Sequence, residues 1–228
     1  FSNVSTSSKV PRVEVLETGF GLYSAALREA ERDGQALKDV RITAYVAPST
    51  IYVANGNVTL YSIPVDTETT YLYIIYWDPE KPLAEEPYRA DVERGTGTEP
   101  EVAARWGFSR ETLGCPGAIS IENRWGQDRE KMRRGESYSG LHPFSMEDAA
   151  CTSSMGPVSD RQELLVPADL AIVRMRRYLL EAADAVARGA PAPAFDSLQH
   201  AYRVAAIYAE IEPSADWREL AKGETTAA

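Results

Sequence analysis

The chain is organised around residues 123–189, which read NRWGQDREKMRRGESYSGLHPFSMEDAACTSSMGPVSDRQELLVPADLAIVRMRRYLLEAADAVARG. The last third of this stretch predicts an amphipathic helix that starts near Pro167 and stops at Gly189, because proline suits a first helical turn and glycine suits a helix end. Apolar residues recur at helical spacing on one face, and charged residues recur on the opposite face. The apolar face consists of Ile172, Met175, Leu179, Ala182 and Val186. We therefore expect this helix to bury one face against the rest of the fold.

Residues 11–78 predict a meander of antiparallel strands. The segment 20–30 continues a strand pattern, although its alanine and glutamate content leaves a helix open over 22–31. Asp33-Gly34 and Asn55-Gly56 are typical of tight hairpin turns, because these residue types tolerate positive φ. The run at 71–77 reads YLYIIYW and is apolar on both alternating faces. It therefore predicts a strand that is covered on both sides.

The remainder of the chain predicts one irregular excursion and a second C-terminal helix. Residues 79–122 are rich in Pro, Glu and Gly and predict a long irregular segment with one helix near 101–108. A last helix is predicted over 194–210 from its apolar periodicity. Strands first and helices last indicate an α+β class, with an antiparallel sheet and C-terminal helices packed on one face. We expect residues 1–228 to form a single domain, whose last part, 123–228, holds a charged turn at 127–130, the Asp148 segment and two helices.

Composition limits the partners and the compartment. The formal net charge of −10 argues against a nucleic acid or an anionic membrane as partner, since both attract clustered Lys and Arg. Two cysteines are too few for a disulfide framework, which favours a reducing cytoplasm. No apolar run approaches the roughly 20 residues of a membrane span. The first residues lack the apolar region of a signal peptide.

The same central stretch carries an ordered series of short motifs. On the sequence alone, the acidic pair Glu147-Asp148 is typical of residues that cap a helix start. The series as a whole resembles the C-terminal end of the oxygenase alpha subunit of Rieske non-haem iron oxygenases, in the phthalate dioxygenase branch. The motifs are, in chain order, D-R-E at 128–130, M-R-x-G-x-S-Y-x-G at 132–140, E-D-x-A at 147–150, S-M-G-P at 154–157, D-R at 160–161 and D-L-A-I-x-R-M-R-R at 169–177.

This resemblance implies a catalytic role and a fold. It implies a helix-grip, START-like catalytic domain with a hydrophobic pocket between sheet and helices. The family's iron carboxylate corresponds to Asp148, and two histidines complete the mononuclear Fe(II) site. Electrons reach that site from a reductase or ferredoxin through a Rieske two-iron, two-sulfur cluster across a subunit boundary, and the family forms ring-shaped trimers. An aromatic small molecule is then hydroxylated or oxidatively demethylated with O2.

The two iron histidines and the Rieske cluster have no counterpart in this sequence. The chain contains His142 and His200, neither with a second histidine at ligand spacing, and Cys115 and Cys151 do not fit the Rieske pattern. Because the chain starts on Phe1, we expect a partner chain or a preceding N-terminal half to supply these groups. We do not expect this chain to be active alone.

Candidate pocket residues complete the sequence interpretation. Cys151 follows Asp148 by three positions and shares its predicted helix face, while Tyr45 and Tyr73 lie on predicted strands and suit a flat apolar substrate. Asp128-Arg129-Glu130 predicts a structural ion-pair cluster in which Arg129 binds a carboxylate with two hydrogen bonds. Two alternatives to an oxygenase remain at this stage: a metal-free module that binds a hydrophobic ligand, and a structural subunit that supports a complete catalytic subunit.

Overall fold

The computed structural model describes residues 5–6, 10–54, 57–78, 80–105, 120–142, 144–192 and 204–226. The chain forms two compact units. The sheet unit comprises residues 1–77 and 163–228, and the insert unit comprises residues 78–162. The single catalytic domain expected from the sequence stays a prediction.

Eight strands form one antiparallel sheet in the sheet unit. Its main path runs β1-β3-β4-β5-β6-β7, while β2 pairs with β3 and β8 pairs with β4. The strands are β1 (Ser5–Thr6), β2 (Arg12–Thr18), β3 (Gly21–Arg32), β4 (Gln35–Val46), β5 (Thr50–Val53), β6 (Val58–Pro64), β7 (Thr70–Tyr76) and β8 (Ile207–Ile211). This arrangement confirms the predicted α+β class, and it settles the 22–31 ambiguity in favour of a strand.

The β3–β4 hairpin is the centre of the sheet. Its turn residues Asp33 and Gly34 have φ values of 52° and 78°, so both adopt the positive φ that their residue types tolerate. The two strands pair without interruption from Gly21–Val46 to Arg32–Gln35. Because side chains alternate across a sheet, the hairpin presents one residue set to each face.

One face of the hairpin carries the main core. This core joins residues from β3 and β4 to Val204, Trp217 and Ala221, and Trp217 is 2% exposed. Its strand members are Tyr23, Ala25, Leu27, Val40, Ile42, Ala44 and Val46, with Phe20 just before β3. Burial of a full aromatic or aliphatic side chain contributes about 1.5–3 kcal/mol, so this cluster dominates the stability of the sheet unit.

The opposite face packs against the long C-terminal helix α5 (Leu170–Ala187). Leu22, Tyr45 and Ala47 form the buried centre there, and Met175 and Leu179 of the helix pack on them. A short 3-10 turn, Pro167–Asp169, leads into α5, and Gly189 follows it with φ 77°. The predicted start and stop of this helix are confirmed, and Met175 and Leu179 of its predicted apolar face pack on the sheet. Ile172 and Val186, at the two ends of that face, are exposed at 42% and 58%, so the face is buried only in its middle.

The C-terminal end of the chain departs from the prediction. The predicted helix at 194–210 is wrong at its end, because Ile207–Ile211 is strand β8, paired with Lys38–Ile42 of β4. Residues 194–203 of that prediction lie outside the described residues. A further helix, α6 (Arg218–Thr226), was not predicted.

The insert unit is more regular than its composition indicates. Helices α1 (Tyr88–Thr96) and α2 (Pro100–Arg105) lie in the segment predicted as irregular, so the prediction of one helix near 101–108 is wrong in number. A 3-10 turn at Arg124–Gly126, α3 (Arg129–Arg133), α4 (Phe144–Ser154) and a 3-10 turn at Val158–Asp160 follow. Residues 106–108 lie outside the described part of the chain.

Strand β7 is an exposed edge, which corrects the prediction that it is covered on both sides. Six of its seven residues are exposed, with Tyr71 at 58%, Leu72 at 54% and Tyr73 at 54%. In the described ranges β7 pairs with β6 and with no other strand. The described residues therefore do not supply the cover that the apolar pattern of β7 predicts.

A search of the described residues for helices long and apolar enough to cross a membrane finds none.

Candidate functional site

Helix α4 positions the acidic pair Glu147-Asp148. Met146 and Ala150, four residues apart, are 7% and 8% exposed and form the buried side of the helix. Asp148 lies off that side and its side chain is exposed. The helix therefore presents the Asp148 carboxylate to the surroundings of the insert unit.

The two acidic residues differ in what they bind. The hydroxyl of Ser139 donates a short hydrogen bond to the Glu147 carboxylate. Among the described residues, no side-chain hydrogen bond or ion pair involves the Asp148 carboxylate, whose backbone carbonyl accepts from the Thr152 hydroxyl at 2.8 Å. Glu147 is thus engaged within the fold, while Asp148 keeps both carboxylate oxygens available to a ligand.

A tight loop at residues 137–141 holds Ser139 beside Glu147. The amide of Asp128 donates to the Gly140 carbonyl at 2.8 Å, and the Gln127 side chain donates to the Ser139 carbonyl at 2.8 Å. Gly140 has φ 70°, and a Cβ at this position would come within 2.6 Å of the Asp128 carbonyl oxygen. This close approach requires glycine. Gln127 and Asp128 therefore hold the 137–141 loop in place, and Ser139 of this loop binds Glu147.

The charged turn itself is built differently from the prediction. Asp128 caps α3 by accepting from the Lys131 amide at 3.0 Å, and this hydrogen bond holds the pKa of the Asp128 carboxyl below its ordinary value. Arg129 is exposed and donates to the Gln127 side-chain oxygen at 3.2 Å. The predicted paired hydrogen bonds from Arg129 to a carboxylate are therefore wrong. Glu130 forms an ion pair with Arg133 instead.

The described residues do not make up a complete metal centre. They contain no group of three or more His, Cys, Asp or Glu side chains that could hold a metal ion. Asp148 would supply one carboxylate donor of the three that a non-haem iron site takes. His142 is exposed in the loop before α4, and Cys115 and His200 lie outside the described residues.

Tyr45 lies in the buried contact between the sheet and α5. It is 6% exposed, and its hydroxyl donates to the Pro48 carbonyl at 2.7 Å. Burial, with a smaller contribution from the neighbouring Tyr178, raises the pKa of Tyr45 to about 12. Tyr178 of α5 in turn donates to the Gly19 carbonyl at 3.2 Å. Because the Tyr45 hydroxyl already donates its proton to the Pro48 carbonyl, that proton is not available to a ligand.

Tyr73 and Cys151 have quite different surroundings from Tyr45. Tyr73 is 54% exposed on β7, with its ring centroid 6.4 Å from that of Tyr71, and β5 and β6 separate β7 from the β4 strand that carries Tyr45. The Cys151 thiol is free and exposed on α4 of the insert unit. The structure therefore does not place Tyr45 and Tyr73 side by side, and the role of all three residues in a pocket stays a prediction.

The clefts of the sheet unit that the described residues line include two without Tyr45, Tyr73 or Cys151. One of about 440 Å³ lies beside the start of β2. The other, of about 350 Å³, lies between β2 and the start of α5 and is lined by Val15, Leu16, Glu17, Leu170 and Arg174. No local sequence pattern predicts either cleft, because each depends on which strand ends meet.

Comparison with known proteins places the whole chain in one family. Residues 3–228 match the family described as LigXa C-terminal domain like. The chain is 30% identical over 219 residues to the phthalate 4,5-dioxygenase oxygenase subunit of Pseudomonas putida, covering 94% of this chain and 47% of that protein. It is 28% identical over 225 residues to the 3-chlorobenzoate-3,4-dioxygenase oxygenase subunit of Comamonas testosteroni, covering 93% of this chain and 50% of that protein. The chain spans about half the length of these relatives, and the matches confirm the resemblance carried by residues 128–177.

Proposed function

This chain belongs to the LigXa C-terminal domain like family, and we propose that it forms the C-terminal part of the catalytic domain of a Rieske-type non-haem iron oxygenase. The observation that carries this proposal is a family match over nearly the full chain, with both relatives named as oxygenase subunits of aromatic-acid dioxygenases. The proposed reaction is hydroxylation or oxidative demethylation of an aromatic substrate with O2. By analogy with the named substrates of the relatives, we expect an aromatic carboxylic acid.

Asp148 is the proposed carboxylate ligand of the iron. Its position on α4 supports this role, because Met146 and Ala150 fix the helix while the Asp148 carboxylate has no side-chain partner among the described residues. Glu147 is the weaker candidate of the pair, since its carboxylate already accepts from Ser139. When bound, the iron would supply the chemistry that activates dioxygen. The two histidine donors would come from residues other than those described.

The proposed contribution of this chain is to orient one ligand and to enclose the substrate. The loop at 137–141 ties α3 to α4 through Asp128, Gly140 and Ser139, which limits how far the acidic pair can turn. Such a support is what an iron ligand requires, because a carboxylate that rotates freely holds a metal weakly. Tyr45, Tyr73 and Cys151 remain proposed pocket residues.

Electron supply is proposed to come from outside the described residues. A Rieske cluster on a partner chain or on another part of the protein would receive electrons from a reductase or ferredoxin. A trimer-based oligomer would bring that cluster within reach of Asp148. The compartment proposed is the cytoplasm, where a reduced Cys151 thiol is stable.

Iron content of the assembled oxygenase tests this proposal. The complete protein, with its Rieske component, is purified as wild type, Asp148→Ala and Asp184→Ala, and iron is measured together with turnover of phthalate and 3-chlorobenzoate. Asp184 is an exposed aspartate on α5 and serves as the matched control. Loss of mononuclear iron and of turnover in Asp148→Ala, with both retained in Asp184→Ala, is the expected result.

Three outcomes would contradict the proposal. Iron and turnover that persist in Asp148→Ala would remove Asp148 from the iron site. A binding module would be favoured if the assembled wild-type protein binds an aromatic ligand but contains no mononuclear iron. A structural subunit would be favoured if a partner chain holds a complete iron site of its own.

A further inference from the structure

The side chain of Gln127 joins three separate elements of the insert unit. Its amide nitrogen donates to the Ser139 carbonyl at 2.8 Å, and its oxygen accepts from the Arg129 guanidinium at 3.2 Å. The backbone amide of Gln127 donates to the Arg124 carbonyl at 3.0 Å. The 3-10 turn at Arg124–Gly126, the start of α3 and the 137–141 loop therefore meet at one residue, and we call this place the Gln127 junction.

Tyr138 extends from the Gln127 junction and is 100% exposed. The backbone on its C-terminal side is fixed, because the Gly140 amide donates to the Ser137 hydroxyl at 3.0 Å and the Leu141 amide donates to the Ser139 hydroxyl at 3.1 Å. An aromatic ring on a loop that is already ordered loses little further freedom when a partner covers it. Tyr138 thus has the properties of a pre-organised interface residue.

Two arginines of the same junction have no acidic partner among the described residues. Glu130 and Glu136 each form an ion pair with a different arginine of this segment. Arg129 donates to the neutral oxygen of the Gln127 side chain, and Arg124 is exposed and forms no ion pair within the described part of the chain. These two positive charges occur in a chain whose formal net charge is −10. They favour an acidic surface as the partner.

Backbone strain occurs at the same place. Arg124 and Trp125 have φ values of 55° and 53°, in the left-handed region that residues with a Cβ rarely adopt. Such residues cost roughly 1–3 kcal/mol each and cluster at functional sites. The amides of Trp125 and Gln127 donate to the carbonyls of Ser120 and Arg124 and hold the turn closed. The fold therefore maintains a strained turn that carries Arg124 to the junction.

The chemistry of the proposed iron site indicates which polypeptide would cover this junction. Two further donors must reach the Asp148 carboxylate, and the described residues contain no group that supplies them. Ser139 connects the junction to α4 through its hydrogen bond to Glu147, the neighbour of Asp148. A polypeptide that brings two donors to Asp148 has to lie against the surface beside it. The matched part is only 47% and 50% of the two relatives, so each relative has a comparable length of further polypeptide.

We propose that Arg124, Arg129 and Tyr138 form a docking surface, the Tyr138 patch, for the polypeptide that supplies the other iron donors. The docked surface is acidic and has an apolar recess for the Tyr138 ring. Tyrosine and arginine are enriched among the residues that dominate binding at protein interfaces. The inference rests on the proposed function, because the iron site is what requires a second donor-bearing polypeptide.

Nitration of Tyr138 by tetranitromethane, followed by peptide mass spectrometry, measures whether the ring is covered in the complete assembled oxygenase. The reference is the nitration rate of the same tyrosine in the protein unfolded in urea. We expect Tyr138 to react at least about tenfold more slowly in the assembled wild type, because interface anchors lie in desolvated pockets. The fold of this chain by itself gives the ring no cover.

A pair of charge-removing variants tests the role of the arginines. Arg124→Gln combined with Arg129→Gln should raise the nitration rate of Tyr138 towards the unfolded rate and should lower the mononuclear iron content. Arg133→Gln combined with Arg134→Gln is the matched control, because it removes two exposed arginines of the same segment that already have acidic partners. This control should keep both the protection of Tyr138 and the iron. Far-UV circular dichroism establishes that each variant is folded.

Two results would overturn the proposal. The first is an assembled wild-type protein that contains mononuclear iron while Tyr138 reacts at the unfolded rate, because the donors would then arrive without covering the patch. The second is a folded Arg124→Gln and Arg129→Gln variant that keeps wild-type protection of Tyr138.

The Asp148→Ala variant separates failure of this inference from failure of the proposed function. Iron that remains in Asp148→Ala contradicts the proposed role of Asp148, whatever the state of Tyr138. Loss of iron from Asp148→Ala with Tyr138 still protected supports the docking surface, because the partner polypeptide then stays in place without the metal. Loss of iron with Tyr138 exposed in the wild type as well contradicts the docking surface alone.

Discussion

Substitution of Glu14 by glutamine should weaken the link between the first long strand and the C-terminal end of the chain. Glu14 lies on β2, and its Oε2 accepts from the Trp217 indole at 2.9 Å and from Arg218 at 2.8 Å. Its Oε1 lies 2.8 Å from Arg12. The indole hydrogen bond is the largest cause of a pKa of Glu14 below its ordinary value. One carboxylate thus fixes a buried indole to a strand some 200 residues earlier in the sequence.

The expected cost of Glu14→Gln follows from these contacts. Arg12 is 71% exposed in its side chain, so its ion pair with Glu14 contributes little. The glutamine oxygen can still accept from Trp217 and Arg218, but a neutral acceptor forms weaker hydrogen bonds than a charged one by about 1 kcal/mol each. We therefore expect a loss of about 1–2 kcal/mol at neutral pH. For a chain of this length that loss corresponds to a fall in melting temperature of about 2–8 °C.

The pH dependence of this loss has a definite sign. The pKa of the Glu14 carboxyl is lower in the folded than in the unfolded chain. Its stabilisation is therefore fully present above the unfolded pKa of about 4.3 and is lost as the pH falls through the folded pKa. Glu14→Gln should differ from wild type at neutral pH, and the difference should shrink below about pH 4.3.

Thermal melts followed by far-UV circular dichroism from neutral pH to about pH 3 measure both features. Glu17→Gln is the matched control, because Glu17 lies on the same strand with its side chain 61% exposed and forms a surface ion pair with Arg174 at 3.3 Å. That variant should change stability by less than about 0.5 kcal/mol. Equal melting of Glu14→Gln and wild type at neutral pH would refute the reasoning. So would a gap that persists undiminished at the acid end.

Three further substitutions test separate parts of the structure. Gly21→Ala should destabilise the sheet unit by about 3 kcal/mol or more in urea unfolding. The reason is that Gly21 has φ 150° and that a Cβ there would collide with the Tyr45 carbonyl oxygen. A variant with near-wild-type stability would contradict this. Tyr45→Phe should cost about 1 kcal/mol by leaving the Pro48 carbonyl without its donor. Because the chain has 12 tyrosines, the titration of Tyr45 is read from the phenolate absorbance of wild type minus that of Tyr45→Phe, which should rise only near pH 12; a difference that rises near pH 10 would argue against burial. Ser139→Ala removes the hydrogen bond that holds Glu147, the residue next to the proposed ligand Asp148. This variant should therefore lower the iron affinity of the assembled oxygenase without changing the melting temperature by more than a few degrees. Unchanged iron affinity would show that Ser139 does not support the ligand.

Local chemistry made the hairpins and the long helix predictable. Asp33-Gly34 needs no tertiary partner to favour positive φ at both positions, and the structure has that geometry. The α5 limits follow from Pro167 and Gly189 in the same way. The Asn55-Gly56 turn lies outside the described residues, although the strands on either side pair as predicted.

Long-range pairing made the end of the chain unpredictable. Ile207, Ala209 and Ile211 alternate too briefly to outweigh the helical period before them, and they become a strand because β4 offers its free edge there. Trp217 likewise becomes a core residue through its contact with β2 and β3, which no local pattern contains. At the candidate site, the E-D-x-A motif of the resemblance singled out Asp148 rather than Glu147. The Ser139 hydrogen bond engages Glu147 within the fold, which is consistent with that choice.

Strand β7 shows that an apolar sequence pattern indicates that residues are covered, but not which atoms cover them. The pattern predicts coverage on both faces, yet six of the seven residues are exposed within this chain. An uncharged edge strand with exposed apolar side chains is prone to pair with another chain. The sequence keeps tyrosine, leucine and isoleucine there and places its acidic residues outside the strand. The apolar pattern and the exposed strand agree if the atoms that cover β7 lie outside the described residues.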